Sequence, residues 1–120
     1  MIEIPFSVNS RWKVVFKTMA WQCGIYQPEF TSAGEIEYLE KHDHPEAFLL
    51  IKGAITLVLS ENGAGLKEIP LRRNCLYIIT EWHNAYRPEG EEGIALVIEP
   101  PTVRTQYLNL RLNGIPKNAP

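Results

Sequence analysis

The chain has three histidines, and acidic residues crowd around two of them. His42 and His44 stand in the stretch Lys41-His42-Asp43-His44-Pro45-Glu46, with Glu40 just before it, and His83 follows Trp82 much later. Neutral imidazole and carboxylate oxygen suit divalent Mn, Fe, Co, Ni, Cu and Zn alike, and geometry more than ligand type selects among these ions. Three or four such ligands leave a position open on the ion, where water is acidified or a chelating molecule is oriented. Taken without further pattern, the same residues read as a polar hairpin, with His83 packed beneath Trp82.

The elements that must position these groups are strands. Short runs rich in Val, Ile, Tyr, Phe and Trp are separated by Pro, Gly and Asn, which is how successive strands are bounded. Candidate strands are Trp12 to Lys17, Ala20 to Tyr26, Glu35 to Glu40, Glu46 to Lys52, Ala54 to Ser60, Leu66 to Pro70, Leu76 to Thr80, His83 to Arg87, Ile94 to Glu99 and Arg104 to Leu110. No stretch keeps a helical period over three turns. Glu61-Asn62-Gly63 and Glu89 to Gly93 are expected to reverse the chain tightly, since Asn and Gly tolerate positive φ. Many evenly spaced short strands imply an all-β sandwich or barrel. Alternation puts Ile36, Tyr38, Glu40 and His42 on one inward face, and an extended continuation would bring His44 to the same side before Pro45 ends the ladder. If Glu46, Phe48 and Leu50 face inward on the next strand, that carboxylate enters at the same end as the histidines. Trp12, Val14 and Phe16 give the first strand an apolar face that covers the core or meets a partner's sheet.

Gly34 to Gly53, GEIEYLEKHDHPEAFLLIKG, resembles the first motif of the cupins, G-x5-H-x-H-x(3,4)-E-x6-G. In that family two histidines, the glutamate and a histidine from a second motif bind a metal. The resemblance therefore implies His42, His44, Glu46 and His83. One residue separates His44 from Glu46 where the family has three or four. Counted from Gly34, the spacing to Glu46 and Gly53 fits the family, which puts Glu40 in the first histidine's place and His42 in the second's. Glu40 is thus an alternate ligand, and which of Glu40, His42, His44 and Glu46 reach the ion stays open. Of the second motif, G-x5-P-x-G-x2-H-x3-N, only His83 is kept, its other positions holding Arg72, Ile78, Thr80 and Arg87. The fold implied is a double-stranded β-helix, or jelly-roll barrel, bearing one divalent transition metal.

The resemblance implies a metal-binding cupin, with enzyme action on a small polar molecule as the leading expectation. A non-catalytic sensor using the same pocket is one alternative. A metal-free sugar-nucleotide isomerase, needing Arg72, Arg73 and Arg87 to converge, is another. Arg87 stands four residues after His83, on the same strand face, and could pair bidentately with a substrate carboxylate or phosphate, or meet Glu89 or Glu92 at the rim. Tyr38 and Phe48 could line an apolar pocket above the ion.

The chain's 120 residues fit one domain, with a barrel core over about 20–110 and a loose polar tail over 114–120. A formal charge of -2 gives no bias toward polyanions or acidic membranes, and no apolar run is long enough to span a bilayer. Neither nucleic acid nor a membrane is expected as partner. Cys23 and Cys75 form no paired motif and are expected as free thiols in the cytoplasm. A homodimer is expected, since cupins often pair through elements like the first strand.

Overall fold

The structure, a computed structural model, describes residues 1–110, so the tail expected over 114–120 lies outside the described residues. The β-branched and aromatic runs become ten strands: β1 (Trp12–Lys17), β2 (Gln22–Tyr26), β3 (Tyr38–His42), β4 (Glu46–Gly53), β5 (Thr56–Ser60), β6 (Lys67–Pro70), β7 (Leu76–Ile79), β8 (Trp82–Tyr86), β9 (Gly93–Glu99) and β10 (Thr105–Asn109). They form two five-stranded sheets, ordered β1-β2-β9-β4-β7 and β10-β3-β8-β5-β6. Every pairing in both sheets is antiparallel. This is the all-β sandwich expected from the strand spacing, in the jelly-roll form that the cupin resemblance implies. Among the described residues no helix is long and apolar enough to cross a membrane.

The two sheets bury their facing side chains against each other. Tyr26, Phe48, Leu50, Ile79, Ala95 and Val97 come from the first sheet, and Leu57 and Ala85 from the second. Alternation along the strands sends the intervening residues to the opposite faces. On the second sheet that face is also covered: Leu39 and Val58 are buried with Ile36, Leu66 and Leu110 in a second apolar cluster. On the first sheet Leu76, Ile78 and Ile98 stay exposed.

The third strand departs from expectation. Ala33–Glu35 forms a 3₁₀ turn, so pairing starts only at Tyr38 and runs on to His42. Glu35 drives the turn by reaching back to accept hydrogen bonds from the backbone N–H and hydroxyl of Thr31. The apolar face expected of β1 is also split. A register shift between Val14 and Phe16 leaves Trp12 packed on the core and places Phe16 opposite Cys23, where its ring meets Trp21 at 5.6 Å.

Two glycines are fixed by close approach. Gly53, which closes the first motif, has φ +72, and a Cβ there would lie 1.8 Å from the carbonyl oxygen of Glu92. Gly24 makes room for Trp12, since its added Cβ would lie 2.2 Å from the indole ring. Gly24→Ala must therefore push the indole off the core, and is expected to cost about 1–3 kcal/mol in denaturant unfolding. Unchanged stability would mean that Trp12 does not pack there.

Candidate metal centre

Strand register carries the site. Glu40 on β3 pairs with His83 on β8, so both side chains share the inner face of the second sheet, and His42 follows Glu40 by one full alternation. Glu46 opens β4 in the first sheet and faces them across the gap. Ala47 pairs with Ile98, so one step further along the same antiparallel register sets Glu46 beside Glu99 on β9. Four strands from two sheets thus meet at one end of the sandwich.

Glu46 Oε1 lies 2.6 Å from His83 Nε2 and 3.5 Å from His42 Nε2. Glu40 Oε1 lies 3.8 Å from His42 Nε2 and 3.9 Å from His83 Nε2. The two imidazole centroids are 5.2 Å apart. Each ring is oriented through its other nitrogen. His83 Nδ1 lies 3.0 Å from the carbonyl oxygen of Glu81, which can only accept, so Nδ1 carries a hydrogen and Nε2 is the nitrogen that faces Glu46. His42 Nδ1 meets the hydroxyl of Thr105 at 2.9 Å. Anchoring of this kind fixes ring pose and tautomer in metal-binding histidines.

Burial makes the cluster electrostatically tense. Glu46 and His83 are each 4% exposed. Desolvation pushes the Glu46 carboxyl up, but the contact with His83 and the charges of His83 and His42 outweigh it and hold its pKa below the ordinary value. Desolvation likewise pulls His83 down, and Glu46 outweighs it, leaving the imidazole above its ordinary value. Glu99 has no such cation. Burial first, then the neighbouring Glu46 carboxylate, push it up to about 7. Gln22, opposite it in the β2–β9 register, donates to its Oε2 at 3.0 Å.

The donor set fits a divalent transition ion. Two groupings of three, Glu40 with His42 and His83, and His42 with Glu46 and Glu99, each offer ligand atoms within 4.8 Å of one another. Glu46 Oε1 is fully buried yet accepts no well-directed hydrogen bond, despite its closeness to His83. A cation between the imidazoles and the carboxylates would satisfy it, since a buried carboxylate oxygen without a hydrogen-bond donor is costly.

The structure gathers His42, His83, Glu46 and Glu40, and leaves His44 out. Pairing of β3 stops at His42. Asp43 then exchanges backbone and side-chain hydrogen bonds with Arg104, accepting the Arg104 N–H at 2.9 Å and donating its own to the Arg104 carbonyl at 3.1 Å. That exchange bends the chain, so the extended path that would have kept His44 beside His42 does not exist, and His44 is exposed. The gathered set is the one reached by counting from Gly34, with Glu40 in the first histidine's place.

The expected pocket residues divide. Phe48 lines the cavity above the cluster, its ring 6.4 Å from that of His83. Tyr38 does not line it, packing instead against Phe30 and Tyr107. Arg87 is also elsewhere, and its guanidinium donates to the carbonyls of Pro28, Gly90 and Glu91, so it holds loops rather than a ligand. Arg72 and Arg73 are exposed, and neither lines the cavity, so the three arginines do not converge. Two residues at the site escaped sequence reading, Glu99 and Arg11. Glu99 ends an alternating strand, Ala95, Val97, Glu99, and that inward alternation was the available signal; Arg11 precedes the first strand and had none.

No family model matches the sequence, and no curated protein matches it. Solved structures match in fold. A cupin-2 domain containing protein from Shewanella frigidimarina is 20% identical, with 79% of this chain and 84% of that one covered at a TM-score of 0.58. A cupin 2 domain-containing protein from Halorhodospira halophila is 18% identical over 84% and 70%, at 0.59. Hydroxypropylphosphonic acid epoxidase from S. wedmorenis, in complex with fosfomycin, is 14% identical, and the match covers 66% of this chain but 42% of the enzyme, at 0.54. Identities this low establish shared architecture.

The pKa directions set a pH profile for EDTA-treated protein. Glu46, lowered in the fold, adds stability above its ordinary 4.5, while His83, raised, adds it below its ordinary 6.5 and loses it as pH climbs through the raised value. Glu99, raised to about 7 from 4.5, favours the fold when protonated and withdraws that support across the same climb. Thermal stability is therefore expected to fall between about pH 5 and pH 8. A melting temperature that rises over this range would contradict the ion-pair geometry.

Proposed function

We propose that this chain, which has the cupin fold, holds one divalent transition ion through His42, His83 and Glu46, with Glu40 as the further ligand, and acts on a small polar molecule there. The observation that carries the reading is the convergence of two Nε2 atoms and two carboxylate oxygens at 2.6 to 3.9 Å, with both Nδ1 atoms already engaged. A bound ion of this kind polarises an oxygen donor and acidifies bound water.

The chain's own residues supply the rest. Phe48, Tyr26, Leu57 and Val97 make an apolar wall on which a substrate is held away from bulk water. Glu99 lines the same cavity and stands outside the proposed ligand set, so its carboxyl is available to exchange a proton with a bound molecule, which favours turnover over mere binding. Gln22 holds that carboxyl in place through Oε2. A cavity of about 200 Å³ suits a small molecule, and none of the three arginines that the isomerase alternative needs lines it.

Elemental analysis of protein purified without chelators or nickel resin is expected to give one transition ion per chain in the wild type and in His44→Ala. Losses of tenfold or more in metal content are expected for His42→Ala, His83→Ala and Glu46→Gln, since each removes a ligand. Full metal content in His83→Ala, or its loss in His44→Ala, would contradict the ligand set.

A further inference from the structure

Arg11 precedes β1 and lines the same cavity as the histidine and glutamate cluster. Among the described lining residues it is the one side chain with a fixed positive charge. Its guanidinium sits 5.8 Å from the centroid of the Tyr26 ring, which forms part of the apolar wall. Its ion-pair partner is Glu29, reached only at 3.8 Å between side chains 37% and 53% exposed. A pair that long and that exposed is weak. Among the described residues the guanidinium makes no hydrogen bond, so the four donors on its two terminal nitrogens are available to a ligand, in contrast to those of Arg87.

From this we infer that Arg11 anchors the anionic head of the substrate, and that the substrate is a small organic acid whose second oxygen, a hydroxyl or keto group, meets the ion. The inference rests on the metal-centre reading and narrows it from a small polar molecule to a small carboxylic or phosphonic acid. Guanidinium pairs with either head through two parallel hydrogen bonds, which an ammonium cannot reproduce. The wall between the two poles, Tyr26 and Phe48, accepts a short carbon chain. A cavity of about 200 Å³ with an open mouth suits an acid of small size. The acidic groups do not forbid an anion. With a divalent ion bound, the charges of Glu40 and Glu46 are balanced, which leaves Arg11, with Glu99 as the remaining ionisable carboxyl in the lining.

The test uses the full chain loaded with its ion, in wild type, Arg11→Gln and Arg11→Lys. Metal content is measured first, and calorimetry then gives the affinity for glycolate and lactate and for their neutral amides, glycolamide and lactamide. Expected is tighter binding of the acids than of the amides by wild type, a loss of at least tenfold for the acids in Arg11→Gln, a smaller loss in Arg11→Lys, and amide affinities that do not change. Methylphosphonate distinguishes the two heads, and binding of either class supports the anchor. Equal binding of acid and amide by wild type, or acid affinity untouched in metal-loaded Arg11→Gln, would overturn the role of Arg11 while leaving the metal centre standing. Absence of metal from the wild type would overturn both, and is seen before any titration. Thermal melts of the two variants within a few degrees of wild type exclude misfolding as the cause of a lost affinity.

Discussion

A tight contact joins the two sheets at the candidate metal centre: His83 on the second sheet against Glu46 on the first, at 2.6 Å and almost wholly buried. A carboxylate so placed would be strongly disfavoured alone, and an imidazole so placed would be driven neutral. Without an ion each shifts the other toward its charged form, which is why their pKa values move in opposite directions. Removing either partner strands the other, so the pair must be kept or replaced as a unit. Everything else at the site follows from where that pair sits. Glu40 arrives through its register with His83, and Glu99 through the ladder that also carries Ala47 and Ile98.

Much of the architecture was legible because sheet proteins write their strands as short β-branched runs broken by Gly, Pro and Asn. The candidate ligands were legible through their types, and the distance from Gly34 to Gly53 singled out Glu40, His42 and Glu46, which the structure brings close to His83. The structure gives that distance a cause at its far end, since Gly53 has a positive φ and no room for a Cβ. The fate of His44 was not legible. It depends on Asp43 binding Arg104, a partner far along the chain, and pairwise contacts at such separation leave no mark on local alternation. Tyr38 went astray for a related reason. Its strand starts later than the pattern suggests, and the aromatic side chains of Phe30 and Tyr107 provide it a surface away from the cavity.

The cavity is polar at one pole and apolar along its walls, with Arg11 as its fixed cation. Under the proposed function such a distribution selects ligands by charge and size together, because the apolar wall gives little to a hydrated ion and the guanidinium little to a neutral hydrocarbon. Glu99 adds a group whose proton is loosely held near neutrality, positioned by Gln22 from the adjacent strand. The catalytic possibilities of this fold are set by these side chains rather than by the barrel, which hosts many chemistries.

Anomalous diffraction from crystals of the metal-loaded protein, recorded on both sides of the absorption edge of the ion found in it, tests the central claim most directly. The expected result is a single strong peak within about 2.0–2.3 Å of Nε2 of both His42 and His83 and of a Glu46 carboxylate oxygen, with His44 far from it. A peak bound by His44 on the surface, or none between the two sheets, would contradict it.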